Sequence, residues 1–230
     1  MSPESVAASP DGSSLYVGGD SRVVRICLST GASTSLREGD PLQGSAYGLS
    51  IDPSGNKIFV SGSGMAHVAV VDAHSGDPCA PLNSWCSTAM NHRATAFGPG
   101  GEFYLASLSG TSQSWTSDFK PLSQFGPVDS AFGVGVRSNG EVIVCSQNGS
   151  VFYRYQPDGQ LLGRVAIDVQ GQVRNVAVDP WDNVWIAAKE HGVVVGFDKD
   201  NNEIKRLPFN NPTGVAFVPE TALTKAAAHS

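Results

Sequence analysis

Short apolar runs separated by clusters of Pro, Asp, Gly, Asn and Ser recur along the whole chain, a pattern of strands and tight turns rather than of helices. One unit consists of an apolar strand, a polar turn and a second apolar strand. It reads SVAASPDGSSLYVGG from Ser5, YGLSIDPSGNKIFVSGS from Tyr47, ATAFGPGGEFYLAS from Ala94, FGVGVRSNGEVIVCS from Phe132 and NVAVDPWDNVWIAA from Asn175. Taking Leu15, Ile58, Phe103, Val142 and Val184 as equivalent points gives spacings of 43, 45, 39 and 42 residues. Strands repeating at this period have the spacing of propeller blades.

Each unit continues into a third strand and turn, as in RVVRICLSTG from Arg22, HVAVVDAHSG from His67, SVFYRYQPDG from Ser150 and VVVGFDKDN from Val193. A more polar fourth strand follows, as in QLLGRVAI from Gln160 and EIKRLPF from Glu203. Inner strands lie between neighbouring blades and read as continuous apolar runs, whereas an outermost strand is an edge and tolerates polar residues. The third unit departs at SGTSQSWTSDFK, where its third strand is short and polar. A further inner strand, NPTGVAFVPE from Asn211 to Glu220, starts a sixth unit that has no second strand after it. The reading is an all-β chain, a β-propeller of five to six four-stranded blades with the sixth incomplete, over residues 1–220. Residues 221–230 form a tail or short helix. Three closures stay open: a five-bladed ring with an overlapping terminal strand, a six-bladed ring lacking most of one blade, or strands supplied by a partner chain.

These units resemble the NHL, YVTN and SMP-30/gluconolactonase-like propeller repeats. The residues that carry the likeness are Ser5–Val17, Asn175–Ala188 and the PTGVAF at Pro212–Phe217. The resemblance implies the fold over nearly the whole chain and a choice of functions, because one fold hosts many. Its lactonase branch implies one divalent cation such as calcium, held at the channel mouth by Glu, Asn and Asp in a Pro-Asn-Gly context. This chain has Pro212-Thr213-Gly214 and Arg174-Asn175-Val176 instead, with Glu4 and Asp129 the acids near inner-strand starts. Its lyase branch implies a His and a Glu ahead of inner strands; His92 stands in such a place without a matching Glu.

The chain of 230 residues carries a formal net charge of −6, which opposes an extended phosphate-binding surface, so no nucleic-acid partner is expected. No run of about 18 apolar residues occurs, so no membrane span is expected. Propeller geometry places a ligand site among residues entering the inner strands: Glu4, Tyr47, His92, Arg93, Asp129, Arg174 and Asn211. His92 offers a base or ligand near neutral pH and Arg93 an anion clamp. The competing reading is that these groups merely solvate a channel mouth. The alternating oxygens of Asp198–Glu203 echo a calcium loop but read better as a turn, without the Gly and terminal Glu such a loop needs. Cys79 and Cys86 bracket a loop that a disulfide could close, Cys27 and Cys145 read as buried hydrophobes, and Asn148-Gly149-Ser150 is a glycosylation triplet. Trp185 reads as core, while Trp115 and Trp181 read as local packing or partner anchors. The leading functional expectation is a non-enzymatic binding or assembly module, without cofactor, for a protein partner or small ligand and open to membership of a larger protein or oligomer. The alternative is a metal-dependent lactonase-like hydrolase or lyase.

Overall fold

A computed structural model of the chain describes residues 2–20, 22–38, 45–63, 68–79, 92–108, 111–148 and 150–219. Within them lie five antiparallel sheets. Blade 1 comprises β1 (Ser5–Ala8), β2 (Ser14–Gly19), β3 (Arg22–Cys27) and β4 (Ser33–Glu38), and the described part of blade 2 comprises β5 (Ser45–Ile51), β6 (Lys57–Ser63) and β7 (Ala69–Asp72). Blade 3 comprises β8 (His92–Phe97), β9 (Phe103–Ser107), β10 (Ser112–Trp115) and β11 (Pro121–Phe125). Blade 4 holds β12 (Ala131–Val136), β13 (Val142–Ser146), β14 (Val151–Tyr155) and β15 (Leu161–Ala166). Blade 5 holds β16 (Val173–Val178), β17 (Val184–Ala188), β18 (Val193–Phe197) and β19 (Glu203–Pro208).

The turn between the first two strands is built alike in every blade. In blade 4 the amide of Arg137 donates to the Glu141 carbonyl and that of Gly140 to the Arg137 carbonyl; Asp179, Asn183 and Asp182 repeat this pair of bonds in blade 5. The residue that closes the turn takes a left-handed backbone, φ 85° at Gly140 and 65° at Asp182. This is why Gly, or an Asp able to tolerate that region, recurs there.

Four apolar cores hold the blades together, each between consecutive sheets. Tyr16, Val23, Ile58 and Val60 join blades 1 and 2; Phe59, Val70, Phe103 and Trp115 join 2 and 3. Tyr104, Phe125, Val142 and Tyr155 join 3 and 4, and Ile143, Phe152, Ile186 and Phe197 join 4 and 5. Trp115 is buried rather than an exposed anchor, whereas Trp181 is 67% exposed. Blade 3, whose third strand reads as the weakest in sequence, therefore has one pinned by that indole. Cys145 is buried as expected, but Cys27 is half-exposed at the end of β3. Residues Asp198–Asn202 form a turn into β19, the Asp198 carboxylate accepting the Asp200 and Asn202 amides. Cys86, Gly149 of the glycosylation triplet, His67 and residues 221–230 lie outside the described residues.

The expected sixth, incomplete blade is not found among the described residues. Residues Asn211–Pro219 make no strand among the described residues, because an inner strand with no second strand beside it has no ladder to join. The segment still lines the central channel: Val215–Phe217 share its wall with Val6–Ala8, Leu49–Ile51, Thr95–Phe97, Val134–Val136 and Asn175–Val178. A Cβ on Gly214 would stand 3.2 Å from the Val6 amide nitrogen.

Candidate functional site

The inner strands of blades 2 to 5 share one irregularity. Each pairs with its second strand in register except at a single extra residue near its start: Tyr47 between Ala46 and Gly48, Arg93 between His92 and Ala94, Phe132 between Ala131 and Gly133, and Arg174 between Val173 and Asn175. A bulge leaves its extra residue out of the ladder and turns its side chain away from the strand's regular alternation. Here the four side chains meet. The Arg93 guanidinium carbon lies 4.5 Å from the Tyr47 ring centre and 5.3 Å from that of Phe132, and the Arg174 guanidinium lies 4.8 Å from the Phe132 ring. Tyr47 and Phe132 meet edge to face at 5.9 Å.

The electrostatics of this cluster are one-sided. Among the described residues neither Arg93 nor Arg174 forms an ion pair, and the Nε atoms of both are buried without a hydrogen-bond partner. Burial lowers the Arg93 pKa from its usual value and the charge of Arg174 acts in the same direction, against the opposing effect of the Tyr47 hydroxyl. The rings supply cation–π contacts, which neutralise no charge.

Of the seven residues expected at the channel mouth, the structure thus brings together Tyr47, Arg93 and Arg174. Glu4 stands one residue ahead of β1, half-buried, its amide bonded to the Gly18 carbonyl. His92 is turned elsewhere: it is the paired residue before the bulge, opposite Ser107, and is 2% exposed. Asp129 is exposed, its carbonyl accepting the Ser146 hydroxyl at 2.6 Å. Asn211 is exposed with φ 50°. Phe132 was not among the expected residues, although it stands immediately before the Gly that aligns with Gly48, in the same repeat column as Tyr47, Arg93 and Arg174.

A divalent cation does not fit these residues. Among the described residues no three His, Cys, Asp or Glu side chains converge, and two guanidiniums occupy the place where carboxylate and amide oxygens would have to meet the ion.

A second feature is the seam between blades 5 and 1. Pairing puts Leu15 opposite Ile26 and Val17 opposite Val24 on one face of blade 1, and all four are half-exposed, whereas Tyr16 and Val23 on the other face are buried against blade 2. On blade 5, Trp185, Val194 and Leu207 share the facing surface. Between the two faces lies a mainly apolar cavity of about 450 Å³, lined by Val6, Leu15, Trp185, Val194, Leu207 and Phe209 together with residues 212 and 214–218. Trp185 donates its indole N–H to Asp179 at 2.9 Å and sets its ring 5.9 Å from Phe217. In the described structure no main-chain hydrogen bond joins residues 212–218 to any other backbone; the Thr213 hydroxyl donates to the Pro3 carbonyl at 3.0 Å.

No family model and no curated protein matches the chain. Solved structures do. A chain in the crystal structure of a nidogen/laminin complex superposes with a TM-score of 0.75 at 16% identity, over 94% of this chain and 85% of that one. The calcium-binding protein regucalcin from Agrobacterium tumefaciens gives 0.73 at 15% identity, over 94% and 78%. This chain has the β-propeller fold. A protein of unknown function from Bacteroides caccae is also similar, with a TM-score of 0.64 at 16% identity, over 88% of this propeller and 75% of its own chain. At these identities the likeness is one of fold, and chemistry has to be argued from the side chains.

Proposed function

We propose that this propeller is a non-enzymatic binding module of the NHL and SMP-30-like kind, and that the seam between blades 5 and 1 receives a β-hairpin from a protein partner. The observation that carries the reading is the main chain of residues 212–218, which no other described backbone pairs with, between two apolar sheet faces. Half-buried peptide groups without partners are costly, and an added strand would satisfy them as β-augmentation does elsewhere. Once paired, 212–218 would act as the inner strand of a blade whose outer strands come from the partner. The nidogen/laminin structure offers a propeller of similar fold in a complex between proteins, which supports a protein partner in general terms. The metal-dependent hydrolase reading loses ground to the guanidinium pair at the channel mouth.

The test uses a strand pair of the chain's own repeat as probe. A synthetic peptide of residues 183–198, which spans β17 and β18, should bind the full chain in calorimetry with a Kd on the order of 10 μM. Phe209, 56% exposed at the seam, gives the control: Phe209→Asp should weaken binding by roughly tenfold or more while leaving the fold intact. Equal binding by the variant, or none by the parent chain at millimolar peptide, would rule the seam out as the docking site.

A further inference from the structure

The channel mouth carries an inference independent of the seam. Two arginines held in place by aromatic rings, with no carboxylate paired to either among the described residues, are an arrangement that costs stability unless something binds there. The Arg93 and Arg174 guanidiniums flank one phenyl ring at 5.3 and 4.8 Å, so they lie at most about 10 Å apart, where like charges repel appreciably in a partly buried setting. Tyr47 stands beside Phe132, their rings edge to face at 5.9 Å, and meets the Arg93 guanidinium carbon at 4.5 Å. The four residues come from four consecutive blades, each at a bulge at the same step of the repeat. Packing alone does not call for this: a core position would be filled by an apolar residue, and a solvated mouth would not bury the Nε atoms of both guanidiniums. Glu4, the acid nearest in the repeat column, pairs with neither arginine.

We infer that Arg93 and Arg174, braced by Phe132 and Tyr47, form an oxyanion-binding site at the channel mouth, for a carboxylate or phosphoryl group. The planar guanidinium fork suits both groups, which it binds through two parallel N–H donors. The phenyl and phenol rings fix the forks so that little side-chain freedom is lost on binding. The ligand's charge would also relieve the repulsion between the two arginines, so binding and stability are linked.

Calorimetry and thermal unfolding of the full chain at constant ionic strength test this, with three probes: inorganic phosphate, citrate and the side-chain carboxylate of N-acetylglutamate amide. At least one should bind saturably in the millimolar range or tighter and raise the melting temperature. Preference for phosphate would assign a phosphoryl ligand, preference for the other two a carboxylate. Arg93→Gln and Arg174→Gln should each weaken binding at least tenfold, and Arg93→Lys, which keeps the charge but loses the fork, should fall between. Without ligand, Arg93→Gln should melt at a temperature no lower than the parent chain. That readout separates a binding role from a structural one, since an arginine needed for folding would lower it. No saturable binding of any probe, or binding unchanged in the Arg93→Gln, Arg174→Gln double variant, would overturn the site.

Discussion

Single side chains in this propeller divide into those that are answered and those that are not. Arg137 is answered through its two terminal nitrogens, though its Nε is buried without a partner: it is 3% exposed, donates to Glu141 at 3.0 Å, and reaches across to blade 5, where it meets the carbonyls of Asp198 and Lys199 and the Asn201 side chain. Arg154 grips the same carboxylate at 2.6 and 3.1 Å. Breaking one side of a buried ion network strands the rest, so Glu141→Ala should lower the unfolding free energy by about 3–5 kcal/mol, read by chemical denaturation. Asp11 shows the pH side of the same rule. The Ser9 hydroxyl first, then the Ser13 amide, hold its carboxyl down to about 2. A depressed folded-state pKa gives stability that is present above the unfolded value and lost as pH falls toward the folded one. Asp11→Ala should therefore flatten the fall of stability with acid between about pH 4 and pH 2, and an unchanged slope would contradict the assignment. Among the described residues Arg93 and Arg174 have no such carboxylate, which is why they carry a binding inference and Arg137 does not.

At the scale of the element, the strand–turn–strand unit was legible from sequence because its apolar runs and its Gly- or Asp-closed turn repeat at nearly constant spacing. All five clear units became blades. The bulge was not legible. One extra residue near the start of β5, β8, β12 and β16 changes which side chain leaves the ladder, so at His92-Arg93 it is Arg93 that joins the cluster and His92 that is buried. Phe132 escaped notice because an aromatic residue beside an apolar strand reads as core; only its column in the repeat, one residue ahead of Gly133, marks it. The Gly of that column has its own role, since a Cβ at Gly48 would meet the Arg93 carbonyl oxygen at 2.5 Å. Gly48→Ala should force neighbouring inner strands apart and cost about 1–3 kcal/mol, as overpacking does, measurable as a lower melting temperature.

For the whole molecule, the sequence predicts an incomplete sixth blade from Asn211 and leaves the closure of the ring open, and among the described residues no such blade is found. Four interblade cores hold most of the buried apolar residues, and the seam is where a fifth such core would lie between blades 5 and 1. Leu15, Trp185, Leu207 and Phe209 instead border a cavity beside a main chain that pairs with no other described backbone. Which strands fill a seam is a property of whatever chain is nearby, and no periodicity within one sequence encodes it. The most direct measurement is amide hydrogen exchange across residues 213–218, in the free chain and with the peptide of residues 183–198. The account predicts fast exchange there in the free protein, in contrast to the slow amides of β16 and β17, and marked protection once the hairpin is added. Amides already protected in the free chain, or unprotected with the peptide at saturating concentration, would contradict it.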